Sequence, residues 1–236
     1  MTDLTLTVQG VARAELEPER ATVRFTIAAD GPDRAPVVAS VVASLTAVSE
    51  LIAGRHDADG GPVIAWSVDQ LAASAQRPWS NDETPAALVH RAIASGRAVL
   101  SSPDAAAELV DALAADPLVA IDAIEWTLTD ATLARTQSDV RTLAVADAIS
   151  KAVALAAAVG RPGVDAVALA DPGMLDGSGG GAAPQPRMER AMSMAMDAGG
   201  GGGFSLRPQP IVIDVTVDAR FIATQRATDN PPMEAR

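Results

Sequence analysis

The stretch from Leu88 to Asp171 constrains the fold most. It reads in order as strand, short helix, strand, long alanine-rich helix and strand. Apolar residues at every second position indicate strands, whereas steps of three and four indicate helices. The short helix has a start signal at Ser102, Pro103 and Asp104: a hydroxyl cap, a first-turn proline and an acid. This order predicts an α+β fold with mixed or antiparallel sheets, one long helix and two shorter helices.

Both ends of the chain continue the strand pattern. Alternating apolar residues predict strands at 4–14, 22–27, 64–68 and 211–221, and apolar steps of three and four predict a helix over 38–52. Only a turn at Pro18 and Glu19 separates the first two strands, so we expect them to form a hairpin.

The long helix is expected to run from Asp130 to about Val159, with Gly160 as its end. Its polar face is predicted to carry Asp147, Ser150 and Lys151. Its apolar face is predicted to include Val145, Ile149, Ala152, Val153, Ala156 and Val159.

Composition excludes several classes of function. The net charge of −12 disfavours binding to a phosphate backbone, so nucleic acid is not an expected partner. Without cysteine, disulfides, thiolate nucleophiles and Cys-ligated metals are excluded. No signal peptide and no membrane span are recognisable in the sequence, and we expect a cytoplasmic location.

The predicted domain organisation is one region over 1–225, which can divide into two α+β subdomains. Residues 173–208 are rich in Gly, Pro and Met and are expected to form a flexible insertion. Residues 226–236 are expected to form a disordered tail.

Four motifs together resemble the SIMPL-domain family, which includes bacterial periplasmic immunogenic proteins and a eukaryotic kinase-associated signalling adaptor. Residues 6–25 (L-T-V-Q-G-V-A-R-A-E-L-E-P-E-R-A-T-V-R-F) resemble its opening motif, V-x-G-x-G-x-V-x-x-x-P-D-x-A. Residues 97–113 resemble its strand and short helix, 124–163 its strand and long helix (A-x-x-D-A-x-x-K-A-x-x-L-A), and 207–221 its closing strand. The chain departs from the family at Ala12, Asp116-Pro117 and Gln209, where the family has glycine.

The resemblance implies an α+β fold, a tendency of some members to oligomerise and a link to stress tolerance. The family has no agreed catalytic residues, so the resemblance transfers none. Bacterial members are mostly exported, and the absence of a recognisable export signal is a further departure of this sequence.

Few residues could carry chemistry. His56 and His90 have no partner in the sequence pattern that would make either an acid, a base or a ligand. The glycine runs at 177–181 and 199–203 lack the Lys-Ser/Thr of a phosphate loop. Met188, Met192, Met194 and Met196 could bind Cu(I) or take up oxidants. The favoured interpretation is a short helix that packs methionines against the body or an adjacent subunit.

The leading hypothesis is therefore a non-enzymatic binding or assembly protein with a protein partner or a second copy of itself. No catalytic residue, cofactor or metal site is predicted, and the interaction residues are expected to be Trp79, Met192 and Met196. Two alternatives stay open: an acid–base enzyme that uses carboxylates such as Asp69, Glu125 or Asp214, and a methionine-based copper or oxidant binder.

Overall fold

The computed structural model of the chain describes residues 3–79, 86–175, 188–189 and 206–225. The chain divides into two compact units. Unit 1 contains Met1–Leu16, Asp130–Glu189 and Val212–Arg236, and unit 2 contains Glu17–Thr129 and Arg190–Ile211. In chain order the elements are β1 (Leu4–Leu16), β2 (Arg20–Gly31), α1 (Arg34–Ala53), β3 (Val63–Val68), β4 (Ala72–Gln76), β5 (Val89–Leu100), α2 (Pro103–Ala114), β6 (Val119–Thr127), α3 (Asp130–Ala158), β7 (Gly163–Ala170), β8 (Met188–Glu189) and β9 (Ile211–Thr224). Three helices among these residues, together with sheets of antiparallel strand pairs, confirm the predicted α+β class.

Unit 1 is a sheet in the order β1-β9-β7, with the helix α3 packed along β1. The strands β7 and β8 both pair with β9 in antiparallel register. The strand β9 buries every second residue from Ile211 to Ala223, as its alternating sequence predicts.

Unit 2 is an antiparallel sheet in the order β3-β5-β2-β6, with β4 added alongside β5. The helices α1 and α2 contact this sheet, and the largest buried side chains of this unit are Trp126, Phe25, Ile27, Ile52 and Leu100. The predicted cap of α2 is present, because the Ser102 hydroxyl accepts a hydrogen bond from the Ala105 amide at 3.1 Å.

The predicted hairpin between the first two strands is wrong. The strand β2 pairs with β5 on one edge and β6 on the other, so it has no free edge for β1, which pairs with β9 instead. The Glu19 amide donates a hydrogen bond to the Thr127 carbonyl at 3.0 Å. Directly after Pro18 the chain therefore pairs with β6. Alternation identifies the face of a strand but not its neighbours.

One helix among the described residues, α1, is long and apolar enough to cross a membrane by length and composition. In this chain its side chains Val41, Val48 and Ile52 belong to the core of unit 2. Core helices meet the same criterion, and 28% of the most apolar stretch of α1 is buried.

Candidate interaction surfaces

The contact between β1 and α3 organises unit 1. A β-carbon on Gly10 would lie 2.0 Å from the Ala144 carbonyl oxygen and 2.8 Å from the Ala148 β-carbon. Only glycine therefore fits at residue 10, and only small residues fit opposite it. The side of α3 that is buried is accordingly a stripe at steps of four: Thr136, Val140, Ala144, Ala148, Ala152 and Ala156.

This stripe corrects the predicted apolar face of the long helix. Ala152 and Ala156 are buried as expected, but Ile149, Val153 and Val159 are exposed. The prediction assumed that the largest aliphatic side chains face the core. Because Gly10 lies on the opposing strand, the two backbones approach too closely for a large side chain to fit between them. Small side chains are therefore buried here and larger ones are exposed.

Two charged residues of α3 bind the edge of β1 on either side of Gly10. The Val11 amide donates to the Asp147 carboxylate at 2.8 Å, and the Lys151 ammonium donates to the Gln9 carbonyl at 2.9 Å. Lys151 also lies 2.7 Å from Asp147, and its hydrogen bond, followed by that of the Val11 amide, lowers the pKa of the Asp147 carboxyl below its usual value. The contacts satisfy backbone groups that an edge strand would otherwise leave open.

Unit 1 exposes aliphatic side chains on α3 and β7, on more than one side of the helix, since Val153 and Leu155 are only two positions apart. Leu143 is 58% exposed, Val159 is 57% exposed and Val167 on β7 is 55% exposed. We call this set the α3–β7 surface; its members are Leu143, Ile149, Val153, Leu155, Val159, Val167 and Leu169. Leu155 and Val159, one turn apart, are neighbours on one side of α3, and Ile149 and Val153 are neighbours on another.

Unit 2 carries a polar groove on its sheet, with a volume of about 360 Å³. Its lining includes two basic residues, Arg24 and Arg97, and two acidic residues, Asp69 and Asp122. The remaining lining residues are Phe25, Ser67, Ser95 and Gly96. The groove therefore contains positively and negatively charged side chains together with serine hydroxyl groups.

The three carboxylates of the acid–base alternative fall in different surroundings. Asp69 lines the groove of unit 2, and Glu125 in the same unit lies 3.6 Å from the Arg24 guanidinium. Asp214 belongs to unit 1 and lies 3.9 Å from the Arg13 guanidinium. Asp69 thus lines a groove, whereas Glu125 and Asp214 each lie near a different arginine. No observation on the described residues favours a shared catalytic role for the three.

The other sequence candidates are placed as follows. Trp79, an expected interaction residue, is 85% exposed. His56 contacts the Val63 carbonyl through Nδ1 at 3.0 Å, whereas His90 Nδ1 is buried without a partner among the described residues. Met192, Met194 and Met196 lie outside the described residues, as do the two glycine runs and residues 226–236, and of Met188 only the backbone is described. Within the described ranges, no group of three or more His, Asp or Glu residues could hold a metal ion.

Sequence reasoning missed two arrangements that depend on the fold. The grouping of Arg24 with Arg97 requires the register of β2 against β5, which alternation does not provide. Asp116, one of the departures from the family pattern, accepts hydrogen bonds from the Ser44 hydroxyl at 2.5 Å and from the Leu118 amide at 2.9 Å. Its side chain therefore ties α1 to the turn between α2 and β6, which a glycine could not do.

The fold and surfaces define an α+β protein of two units, each a sheet packed with helix, without a metal cluster in its described parts. A family model described as SIMPL, protein of unknown function (DUF541), matches residues 6–221. The chain belongs to this family, which confirms the resemblance found in its sequence motifs. No curated protein matches the chain.

Proposed function

We propose that this SIMPL-family protein is a non-enzymatic assembly module whose copies associate through the α3–β7 surface. The observation that carries the proposal is the last two turns of α3. All eight residues from Ala152 to Val159, which directly follows the helix, are Ala, Val or Leu, yet only Ala152 and Ala156 are buried. A helix that is apolar on all sides is ordinarily buried on all sides.

The free energy available at this surface suits a specific interface. Leu155 and Val159 lie one turn apart on one side of α3 and are each about half exposed. Burying the remainder would contribute roughly 1 kcal/mol per side chain, about 4 kcal/mol over the two copies. Association itself costs several kcal/mol, so the surface can supply the apolar centre of an interface that rim contacts complete.

A second copy of the chain is the occupant that the surface fits best. Beyond Lys151 the helix carries no charge up to Val159, so two copies of this acidic chain can approach here without a local repulsion. Ala154, Ala157 and Ala158 lie exposed between larger side chains and leave grooves that the Leu and Val ridges of another α3 can enter. A twofold dimer uses one self-complementary patch on both subunits. The oligomerisation of some family members is consistent with a dimer. A role in stress tolerance is suggested by the family resemblance alone.

Sedimentation velocity across a concentration series tests the proposal. We expect the wild type to associate at micromolar concentration, and Leu155→Asp to raise the dissociation constant at least about 30-fold, because it removes apolar contact and buries a charge. Leu155 is 49% exposed, so the substitution should leave the fold intact. Val42→Asp is the matched control, because Val42 is 47% exposed on α1, outside the surface. A monomeric wild type at high micromolar concentration, or a Leu155→Asp variant that associates like the wild type, would refute the proposal.

A further inference from the structure

Two arginines face each other on the polar side of the sheet in unit 2. Arg24 on β2 and Arg97 on β5 are direct partners in the antiparallel register, which places their α-carbons about 5 Å apart. Like charges directly opposite each other destabilise a strand pair. Glu125 lies 3.6 Å from Arg24 and offsets part of this repulsion. Arg97 donates to the Ser67 hydroxyl at 3.2 Å and has no carboxylate within 4 Å among the described residues.

Carboxylates line the next row of the same face. Thr26 and Ser95 are partners two residues along from Arg24 and Arg97, which is about 7 Å along the strands. The Thr26 hydroxyl donates to Asp122 at 2.7 Å, and the Asp69 amide donates to the Ser95 carbonyl at 2.8 Å.

A bulge in the sheet exposes one of these carboxylates. The pairing of β2 with β6 passes from Ala123 to Ile121 as β2 passes from Arg24 to Phe25, so Asp122 is the extra residue. Bulges commonly redirect a side chain beside a binding site. Here the redirected Asp122 lines the groove together with Arg24 and Arg97.

We propose that this groove binds a small zwitterion, with its carboxylate on Arg24 and Arg97 and its ammonium group beside Asp69 and Asp122. Paired guanidinium groups offer planar donors that match a carboxylate. Within the lining the two arginines and two aspartates balance, and Glu125 beside Arg24 adds one negative charge, so the groove suits a ligand that carries a cationic as well as an anionic group. The net charge of −12 on the whole chain would disfavour a simple anion by comparison.

The spacing of the two rows sets the length of the ligand. Rows about 7 Å apart fit a chain in which several bonds separate the carboxylate from the ammonium group, as in an ω-amino acid or a dipeptide. An α-amino acid, whose two charged groups share one carbon, is too short to reach both rows. This inference concerns unit 2 alone and does not depend on association through the α3–β7 surface.

The test is a titration of the full chain followed by ¹H–¹⁵N chemical shifts of the Ser95 and Gly96 amides. The probes are 5-aminopentanoate, pentanoate with the anion only, pentylamine with the cation only, and glycine as the short zwitterion. We expect saturable shifts from 5-aminopentanoate with a dissociation constant on the order of millimolar, as suits a small ligand in an open groove. The other three probes should bind at least about tenfold more weakly, since each lacks one of the two charge-assisted contacts.

Substitutions separate the groove from general surface charge. Arg97→Gln should weaken 5-aminopentanoate binding about tenfold or more. Arg91→Gln is the matched control, because Arg91 lies on the same face of β5, six residues away and outside the groove; its variant should bind as the wild type does. Unsaturable shifts for 5-aminopentanoate in the wild type would overturn the inference. Binding of pentanoate as tight as that of 5-aminopentanoate would also overturn it. So would an equal loss of affinity for 5-aminopentanoate in the Arg97→Gln and Arg91→Gln variants.

Discussion

Replacing Gly10 by alanine tests the central contact of unit 1. The added β-carbon would meet the Ala144 carbonyl oxygen at 2.0 Å and the Ala148 amide nitrogen at 2.8 Å. Both are backbone atoms of a helix, so neither can turn aside as a flexible side chain could. Overpacking of this kind costs about 1–3 kcal/mol, and the shortness of these contacts places Gly10→Ala at about 3 kcal/mol. The shift of α3 would also separate Asp147 and Lys151 from the edge of β1.

The assay must report on unit 1 specifically. All three tryptophans, Trp66, Trp79 and Trp126, belong to unit 2, so intrinsic fluorescence does not observe α3 directly. Hydrogen exchange of peptides from α3 does, and a loss of 3 kcal/mol corresponds to amide exchange about 100-fold faster. Gly60→Ala is the control, because a β-carbon there meets no atom within 4 Å, and it should change stability by less than about 0.5 kcal/mol. If α3 in Gly10→Ala exchanged within about threefold of the wild-type rate, the close approach of β1 to α3 would be refuted.

Three further substitutions test local interactions. Because the pKa of Asp147 is lowered in the folded chain, its charge stabilises the fold above the unfolded pKa and that stabilisation is lost as pH falls through the folded pKa. Asp147→Asn should therefore be less stable than the wild type by urea unfolding at pH 7, with the difference beginning to shrink near pH 4 and vanishing only below the lowered pKa of the folded chain; a constant difference would contradict this. Asp116→Ala should cost about 2 kcal/mol in urea unfolding followed by tryptophan fluorescence, because it leaves the buried Ser44 hydroxyl without its acceptor; an unchanged midpoint would contradict the bond. Ser102→Ala should cost about 1 kcal/mol by the same measurement through loss of the α2 cap, whereas Ser102→Thr should retain most of it.

Short sequence patterns predicted those helices and strands that depend on residues close together in the sequence. The cap of α2 and its buried Leu109, Val110 and Leu113 follow from residue types within one or two turns. The alternating burial of β9 follows from a period of two. The strand β4, with the sequence A-A-S-A-Q, was not predicted, because it has no alternation of large apolar residues with polar ones; it is defined by its pairing with β5.

Features that depend on distant neighbours could not be obtained from the sequence in this way. The strand β1 has the pattern of a hairpin partner for β2, but its partner β9 lies at the opposite end of the described chain. The pairing of Arg24 with Arg97 depends on a register that the turn lengths around β3 and β4 do not determine. The candidate groove was therefore inaccessible to sequence reasoning, although each of its residues lies on a predicted or observed strand or beside one.

One cause accounts for both the core of unit 1 and its exposed apolar surface. Gly10 brings β1 very close to α3 at Ala144 and Ala148, and the buried stripe of α3 is alanine from Ala144 to Ala156. A helix with alanine inside gains little from burial, because alanine has a small side chain. The Leu and Val residues that would ordinarily supply that free energy lie outside, on the α3–β7 surface. Association of two copies would recover it, so stability and assembly should be coupled: the hydrogen-exchange protection of α3 should rise with protein concentration in the wild type and stay constant in Leu155→Asp.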